Sequence, residues 1–170
     1  MTLLHIGDTD CHTYGHVPAV GVRVPCFNLA AVDLSVVRLA DFNNQPVIIS
    51  VIPSIETETC FQSVRKLNEI AKEHPNWVVL CVSMDLPYTL RRVAQYEQLE
   101  HVRFLSDFRN RAFGSAYGLT IADGCLAGLL ARCILVLNKE HRVVYQDLVD
   151  DICHLPDMAK MLSALNEQVA

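Results

Sequence analysis

The chain predicts an α/β domain built in three layers, with a sheet between helices. Three observations predict it. Continuous apolar runs rich in β-branched residues recur along the chain, as in VIISVI (47–52), VVLCVS (78–83) and ARCILVL (131–137). Such runs suit strands covered on both faces. Between them lie segments whose apolar residues repeat at helical spacing. The length of 170 residues fits one domain, 1–170, with enough chain to bury a core.

Residues 1–20 read as a β-hairpin or arm, punctuated by Gly15 and Pro18. Short strands are expected at 27–29 and 36–39, with Asp41 capping a turn after them. The run 47–52 is a central buried strand ending at Pro53. The helix headed by Cys60 carries Phe61, Val64, Leu67 and Ala71 on one face and Ser63, Arg65, Lys66 and Glu69 on the others. His74 and Pro75 end it. Residues 77–83 form a second buried strand. An exposed helix is expected over 88–99, with Arg91, Arg92, Glu97 and Gln98 on its polar side.

A third strand follows at 102–105, then a short helix over 110–117 closed by Gly118. The strands 132–137 and 143–148 pair as a hairpin around Asn138 and Lys139. Pro156 opens a last helix bearing Met158, Met161, Leu162 and Leu165.

Composition narrows the function. Hydrophobic residues make up 51% and charged residues 19%, as in a globular chain. The net charge of -5, with 14 Lys and Arg scattered among acids, argues against nucleic acid or an anionic membrane as partner. No apolar stretch has the length of a membrane span, and the first residues lack the basic segment and apolar core of a signal peptide. A cytoplasmic location with reduced thiols is expected.

The seven cysteines, Cys11, Cys26, Cys60, Cys81, Cys125, Cys133 and Cys153, have no CxxC spacing, which disfavours a zinc ribbon or a dithiol oxidoreductase. Cys81 and Cys133 sit in apolar runs and read as small core residues. Cys11 with His12 and His16, and Cys153 with His154, are too sparse to predict a metal site. No metal or other cofactor is expected.

The stretch PSIETETC (53–60) carries the chemistry. A thiol reacts as its thiolate, and at a free pKa near 8.5 only about 3% is ionised at pH 7. Cys60 falls in the first turn of a helix, where backbone N–H groups are unpaired and the helix dipole is positive. Thr57, three residues earlier, can bring its hydroxyl to the sulfur or to a bound oxygen. Pro53 keeps the loop short. Arg132, at a strand start, is the candidate cation. Glu56 and Glu58 oppose a thiolate unless they face solvent. Such a site suits a peroxide, whose leaving oxygen gains negative charge that N–H groups and a guanidinium can stabilise. The product is a sulfenic acid that a second thiol must reduce. A capped helix with an idle cysteine is the alternative.

PSIETETC with SVRKLNEIA (63–71) resembles the peroxidatic motif of the peroxiredoxins, in particular the bacterial thiol peroxidase subfamily. LCVSMDLP (80–87), FLSDFRNRAFGSAYGL (104–119), IADGCLAGLLAR (121–132) and QDLVDDI (146–152) resemble further landmarks of that subfamily in the same order. The resemblance spans about residues 17–165. It implies a thioredoxin-like fold, with a central mixed β-sheet flanked by helices and an N-terminal β-hairpin, in a homodimer. It also implies reduction of hydrogen peroxide and organic hydroperoxides. By the same likeness Cys60 is the nucleophile, Thr57 bonds the sulfur and the peroxide, Arg132 lowers the thiol pKa and holds substrate, and Pro53 shields the thiolate.

One departure stands out. The subfamily pattern places a resolving cysteine in the helix after DLP, and Ala94 occupies that position. The sulfenate must then be reduced by an external thiol (thioredoxin, glutathione or a glutaredoxin) or resolved by another cysteine. Cys125, where the family usually has proline, and Cys81 are the substitutes considered. Ile55, Phe61, Leu126 and Leu129 are candidate linings for an alkyl hydroperoxide. The alternative function is a redox-sensing or interaction protein with little sustained turnover.

Overall fold

The computed structural model describes residues 1–169. Its strands are β1 (Thr2–Ile6), β2 (Thr9–Thr13), β3 (Asn28–Ala31), β4 (Val36–Arg38), β5 (Val47–Val51), β6 (Val78–Ser83), β7 (Arg103–Ser106), β8 (Cys133–Leu137) and β9 (Val143–Leu148). Its helices are α1 (Glu58–Glu73), α2 (Pro87–Tyr96), α3 (Ala112–Ala116) and α4 (Met158–Val169), with a 3-10 turn at Leu39–Phe42.

β1 and β2 form the N-terminal hairpin, and the other strands form one mixed sheet in the order β4-β3-β7-β6-β5-β8-β9. β5 and β6, and β6 and β7, run parallel, while β8 lies antiparallel to β5. The two parallel crossovers are carried by α1 and α2, as a parallel pair requires.

The period-two alternation of a strand divides the core. Ile48, Val79, Cys81, Phe104, Ile134 and Val136 meet Val64 and Leu67 of α1, Leu90 and Val93 of α2, and Met161 and Leu165 of α4. On the other face Val47, Ile49, Val51, Leu80, Val82 and Leu135 meet Phe27, Phe42, Phe113, Tyr117 and the hairpin residues Leu4 and Cys11. The expected layering therefore holds.

Three local expectations need correction. Ser63, placed on the polar side of α1, is fully buried; its small side chain fits where the helix lies on the sheet. The helix over 88–99 ends at Tyr96 and is half-buried, because Leu90 and Val93 pack on the core. The short helix over 110–117 begins at Ala112, after Arg111 takes a left-handed conformation (φ 55°). Asp41 does accept from the Arg38 N–H (2.8 Å), from within the 3-10 turn. Among the described residues no helix is long and apolar enough to cross a membrane.

Candidate active site

Cys60 is the third residue of α1, directly after the turn that leaves β5. The turn is held from below by Asp85, just past the end of β6. The Asp85 carboxylate accepts from the Ser54 hydroxyl (2.7 Å), the Ile55 N–H (2.8 Å) and the Ser83 hydroxyl (2.8 Å). Two adjacent parallel strands thus fix where α1 starts. Pro53 is buried beside the turn.

Thr57 occupies the N-cap position, but its hydroxyl donates to the Ser54 carbonyl (3.2 Å) and not to the sulfur or to the helix. The expected Thr57–sulfur bond is therefore not made in this state. The N–H groups of the first turn keep their positive field without a side-chain cap. Both acids face outward as a thiolate site requires. Glu56 pairs with Arg92, and Glu58 accepts from Gln62 (2.8 Å).

Arg132 lies in the residue before β8 and is 2% exposed; Cys60 is 0% exposed. Its Nη2 donates to the Cys60 sulfur at 3.3 Å and to the Ile152 carbonyl at 2.9 Å, while Nε donates to the same carbonyl at 3.0 Å. Among the described residues, nothing hydrogen-bonds the buried Nη1. The Ile152 carbonyl is itself positioned by the hairpin. The Ile152 N–H donates to the His5 carbonyl (2.9 Å), the His5 N–H to the Asp150 carbonyl (2.7 Å), and the Gly7 N–H to the Asp151 carboxylate (3.2 Å). The arm expected at 1–20 thus braces the segment that orients the guanidinium.

The structure brings Cys60 and Arg132 into contact across 72 positions of sequence. It separates the other candidates. Cys81 is fully buried in the same core layer as Cys60. Burial pushes its thiol up, and the nearby Cys60 and Asp85 add to this. Cys125 is exposed in a loop tied to β2, with Ala122 N–H on the His12 carbonyl (2.7 Å) and Asp123 on His12 (2.9 Å). Ile55 and Phe61 pack on the helix side of the sheet, whereas Leu126 and Leu129 pack with the opposite layer. The four do not form one lining.

Ala94 is half-buried on α2 against the core layer that holds Cys60. A groove of about 230 Å³ beside it runs along Ile55, Thr57, Phe61, Val93 and Tyr96. Sequence reasoning assigned nothing to Asp85, although it stands in the DLP landmark. It weighed Cys153 only as a metal ligand beside His154, and not as a neighbour of Cys60; its carbonyl accepts from the Thr59 hydroxyl (3.5 Å). Its neighbour in the resembling stretch QDLVDDI was the available signal.

The Redoxin family pattern matches residues 19–162. The thiol peroxidase of Corynebacterium glutamicum is 38% identical over 166 residues, which cover 98% of this chain and 100% of that protein. The thiol peroxidase of Mycobacterium tuberculosis is 42% identical over 154 residues, covering 91% and 92%. A peroxiredoxin-like protein from Aquifex aeolicus superposes with a TM-score of 0.93 at 28% identity, covering 99% of this chain and 98% of its own. The thiol peroxidase from Chromobacterium violaceum has the same fold, with a TM-score of 0.90 at 22% identity and coverage of 97% and 95%. The chain belongs to the Redoxin family and, within it, to the peroxiredoxins of the bacterial thiol peroxidase subfamily.

Proposed function

We propose that this protein is a thiol-dependent peroxidase that reduces hydrogen peroxide and organic hydroperoxides at Cys60. The observation that carries the reading is the Arg132 guanidinium. One of its nitrogens holds the Cys60 sulfur at 3.3 Å, and another is buried with no hydrogen-bond partner among the described residues. A guanidinium donor bonds an anionic sulfur more strongly than a neutral thiol. An unpaired buried donor costs free energy until an acceptor arrives, so a peroxide oxygen is a fitting guest.

In this mechanism the Cys60 thiolate attacks one peroxide oxygen and the O–O bond breaks. The leaving oxygen takes the electron pair and departs as water or an alcohol after protonation. Arg132 Nη1 and the first-turn N–H groups stabilise the charge that develops there. Thr57 donates its proton to Ser54, which leaves its oxygen lone pairs free to accept from the peroxide O–H. Pro53, buried beside the turn, keeps water from the sulfur. Cys60 becomes a sulfenic acid, and an external thiol (thioredoxin, glutathione or a glutaredoxin) supplies the electrons that return it.

The whole chain, 1–170, acts as one domain in this reading. A cytoplasmic location, expected from the sequence, and a homodimer, implied by the family likeness, belong to this reading and are tested by fractionation and by sedimentation. No cofactor, nucleic acid or membrane takes part.

The test is steady-state peroxide consumption with a thioredoxin system, with wild-type and Cys60→Ser proteins. Sustained turnover that disappears in the variant is expected. Rapid consumption by Cys60→Ser would displace the nucleophile. A single stoichiometric oxidation of wild type with every thiol tried would favour the redox-sensing alternative.

A further inference from the structure

We propose that Cys153 is the resolving cysteine of this chain, forming an intramolecular disulfide with Cys60 in the absence of a thiol at Ala94. The proposal rests on the peroxidase reading of Cys60.

Two adjacent residue pairs place Cys153 at the site. Arg132 Nη2 touches both the Cys60 sulfur and the Ile152 carbonyl, so those two atoms are no further apart than the sum of two hydrogen bonds. One residue back from Cys60 and one residue on from Ile152, the Thr59 hydroxyl donates to the Cys153 carbonyl (3.5 Å). The stretches 59–60 and 152–153 therefore face one another, and Cys153 is an exposed residue. The rival thiols are worse placed. Cys81 is locked in a central strand, where burial disfavours the thiolate that must attack. Cys125 is in a loop held on the hairpin.

The site also supplies a reason for Cys60 to move toward Cys153. Cys60 is fully buried, in the largely apolar space between α1 and the sheet. Adding an oxygen crowds that space and places a polar atom in it. The first turn of α1 is the part of the helix best able to yield. Its N–H groups have no partner four residues back, and the Phe61 N–H to Thr57 carbonyl bond (2.9 Å) is the first one to break. The Cys153 N–H is held by Asp151 (3.0 Å), so the 151–153 turn offers a fixed platform.

The step balances. The Cys153 sulfur attacks the sulfenic sulfur, an S–S bond forms and the S–O bond breaks. The departing hydroxide takes the thiol proton and leaves as water. A dithiol reductant then returns both cysteines by exchange, giving two electrons and two protons.

The experiment treats the reduced full-length protein with one equivalent of hydrogen peroxide, with and without a 1,3-dione that traps sulfenic acids. Products are mapped by mass spectrometry of peptides and by non-reducing electrophoresis. Wild type is expected to give a Cys60–Cys153 disulfide at monomer mass. Cys153→Ser is expected to lose it and to raise the trapped Cys60 sulfenate at least about 10-fold, since an intramolecular thiol competes at millimolar or higher effective concentration. Cys153→Ala controls for the hydroxyl, and circular dichroism checks both folds. Equal trapping in wild type and both variants overturns the proposal, as does a disulfide to Cys125 or Cys81, or a Cys60–Cys153 bond at dimer mass. Absence of any Cys60 oxidation in all three proteins fails the peroxidase reading itself and takes the proposal down with it, a result distinct from the others.

Discussion

On one flank of the Cys60 turn, α2 presents Arg92, Val93 and Ala94; on the other, the turn after β9 presents the Ile152 carbonyl and Cys153. The first flank is a helix fixed by packing, with Leu90 and Val93 in the core and Arg92 paired to Glu56. The second is a turn fixed by hydrogen bonds to Arg132, Thr59 and the N-terminal hairpin. The packed flank sets where the turn lies. The hydrogen-bonded flank sets how the guanidinium meets the sulfur. Chemistry that needs a fixed charge and a movable sulfur benefits from this division, because packing and hydrogen bonds fail separately.

The largest break of the comparison removes the guanidinium. Arg132→Met keeps volume in a buried position but deletes the donors to Cys60 and Ile152. The second-order rate with peroxide should fall roughly 100- to 1000-fold, the scale seen when a donor to a developing negative charge is lost. Stopped-flow oxidation of Cys60 measures it. A loss under about 3-fold would mean that the helix N-terminus alone activates the sulfur.

The two flanks can be exchanged. Placing Ala94→Cys in a Cys153→Ser background moves the second thiol from the turn to the helix. Turnover with a dithiol reductant should recover to within about 10-fold of the parent, given an intramolecular partner at millimolar effective concentration. Peptide mapping should show Cys60 joined to the introduced thiol. If no such disulfide forms, α2 in this chain holds its face too firmly or too far from the sulfur for the exchange.

Asp85 sharpens the packed flank. Asp85→Ala frees the Ser54 and Ser83 hydroxyls and the Ile55 N–H together. A stability loss of about 1–3 kcal/mol is expected from the unsatisfied donors, read by urea denaturation. The peroxide rate should drop about 10-fold, as a loosened turn lets Cys60 drift from Arg132.

The layered fold and the Cys60 turn were legible in the sequence because strand runs such as VIISVI and the residues of PSIETETC are local patterns. Arg132 was readable only as a charge at a strand start, and its contact spans the chain. Asp85 stayed hidden because a carboxylate ending a strand looks the same whether it caps its own turn or pins another. Cys153 was hidden for a different reason. Its link to the site is made by backbone carbonyls, which carry no side-chain identity for a sequence to show. Thr57 shows the opposite case. Its spacing pointed to the sulfur or a bound oxygen, and its hydroxyl donates to the Ser54 carbonyl, a backbone partner that spacing does not reveal. The lining expected from Ile55, Phe61, Leu126 and Leu129 failed because a sheet lies between their layers.

The smallest expected effect decides which side moves. Asp151 holds the Cys153 N–H and the Gly7 N–H, and the first of these does most to keep its carboxyl below the usual carboxylate range. A depressed folded-state pKa means that this tie is present above the unfolded value of about 3.9 and is lost as pH falls through the lower folded value. Across about pH 6 to 8 it is intact, so any pH dependence of disulfide formation there belongs to other groups. If Cys60 travels to a fixed Cys153, loosening the platform with Asp151→Ala should slow Cys60–Cys153 bond formation by about 2- to 3-fold, the cost of poorer orientation. If Cys153 is the part that travels, the same variant should speed the step. Rapid-quench mapping of the disulfide in the two proteins distinguishes the signs. The expected sign is a slower step, because the uncapped first turn of α1 has fewer backbone bonds to break than a segment tied at Gly7, His5, Arg132 and Thr59.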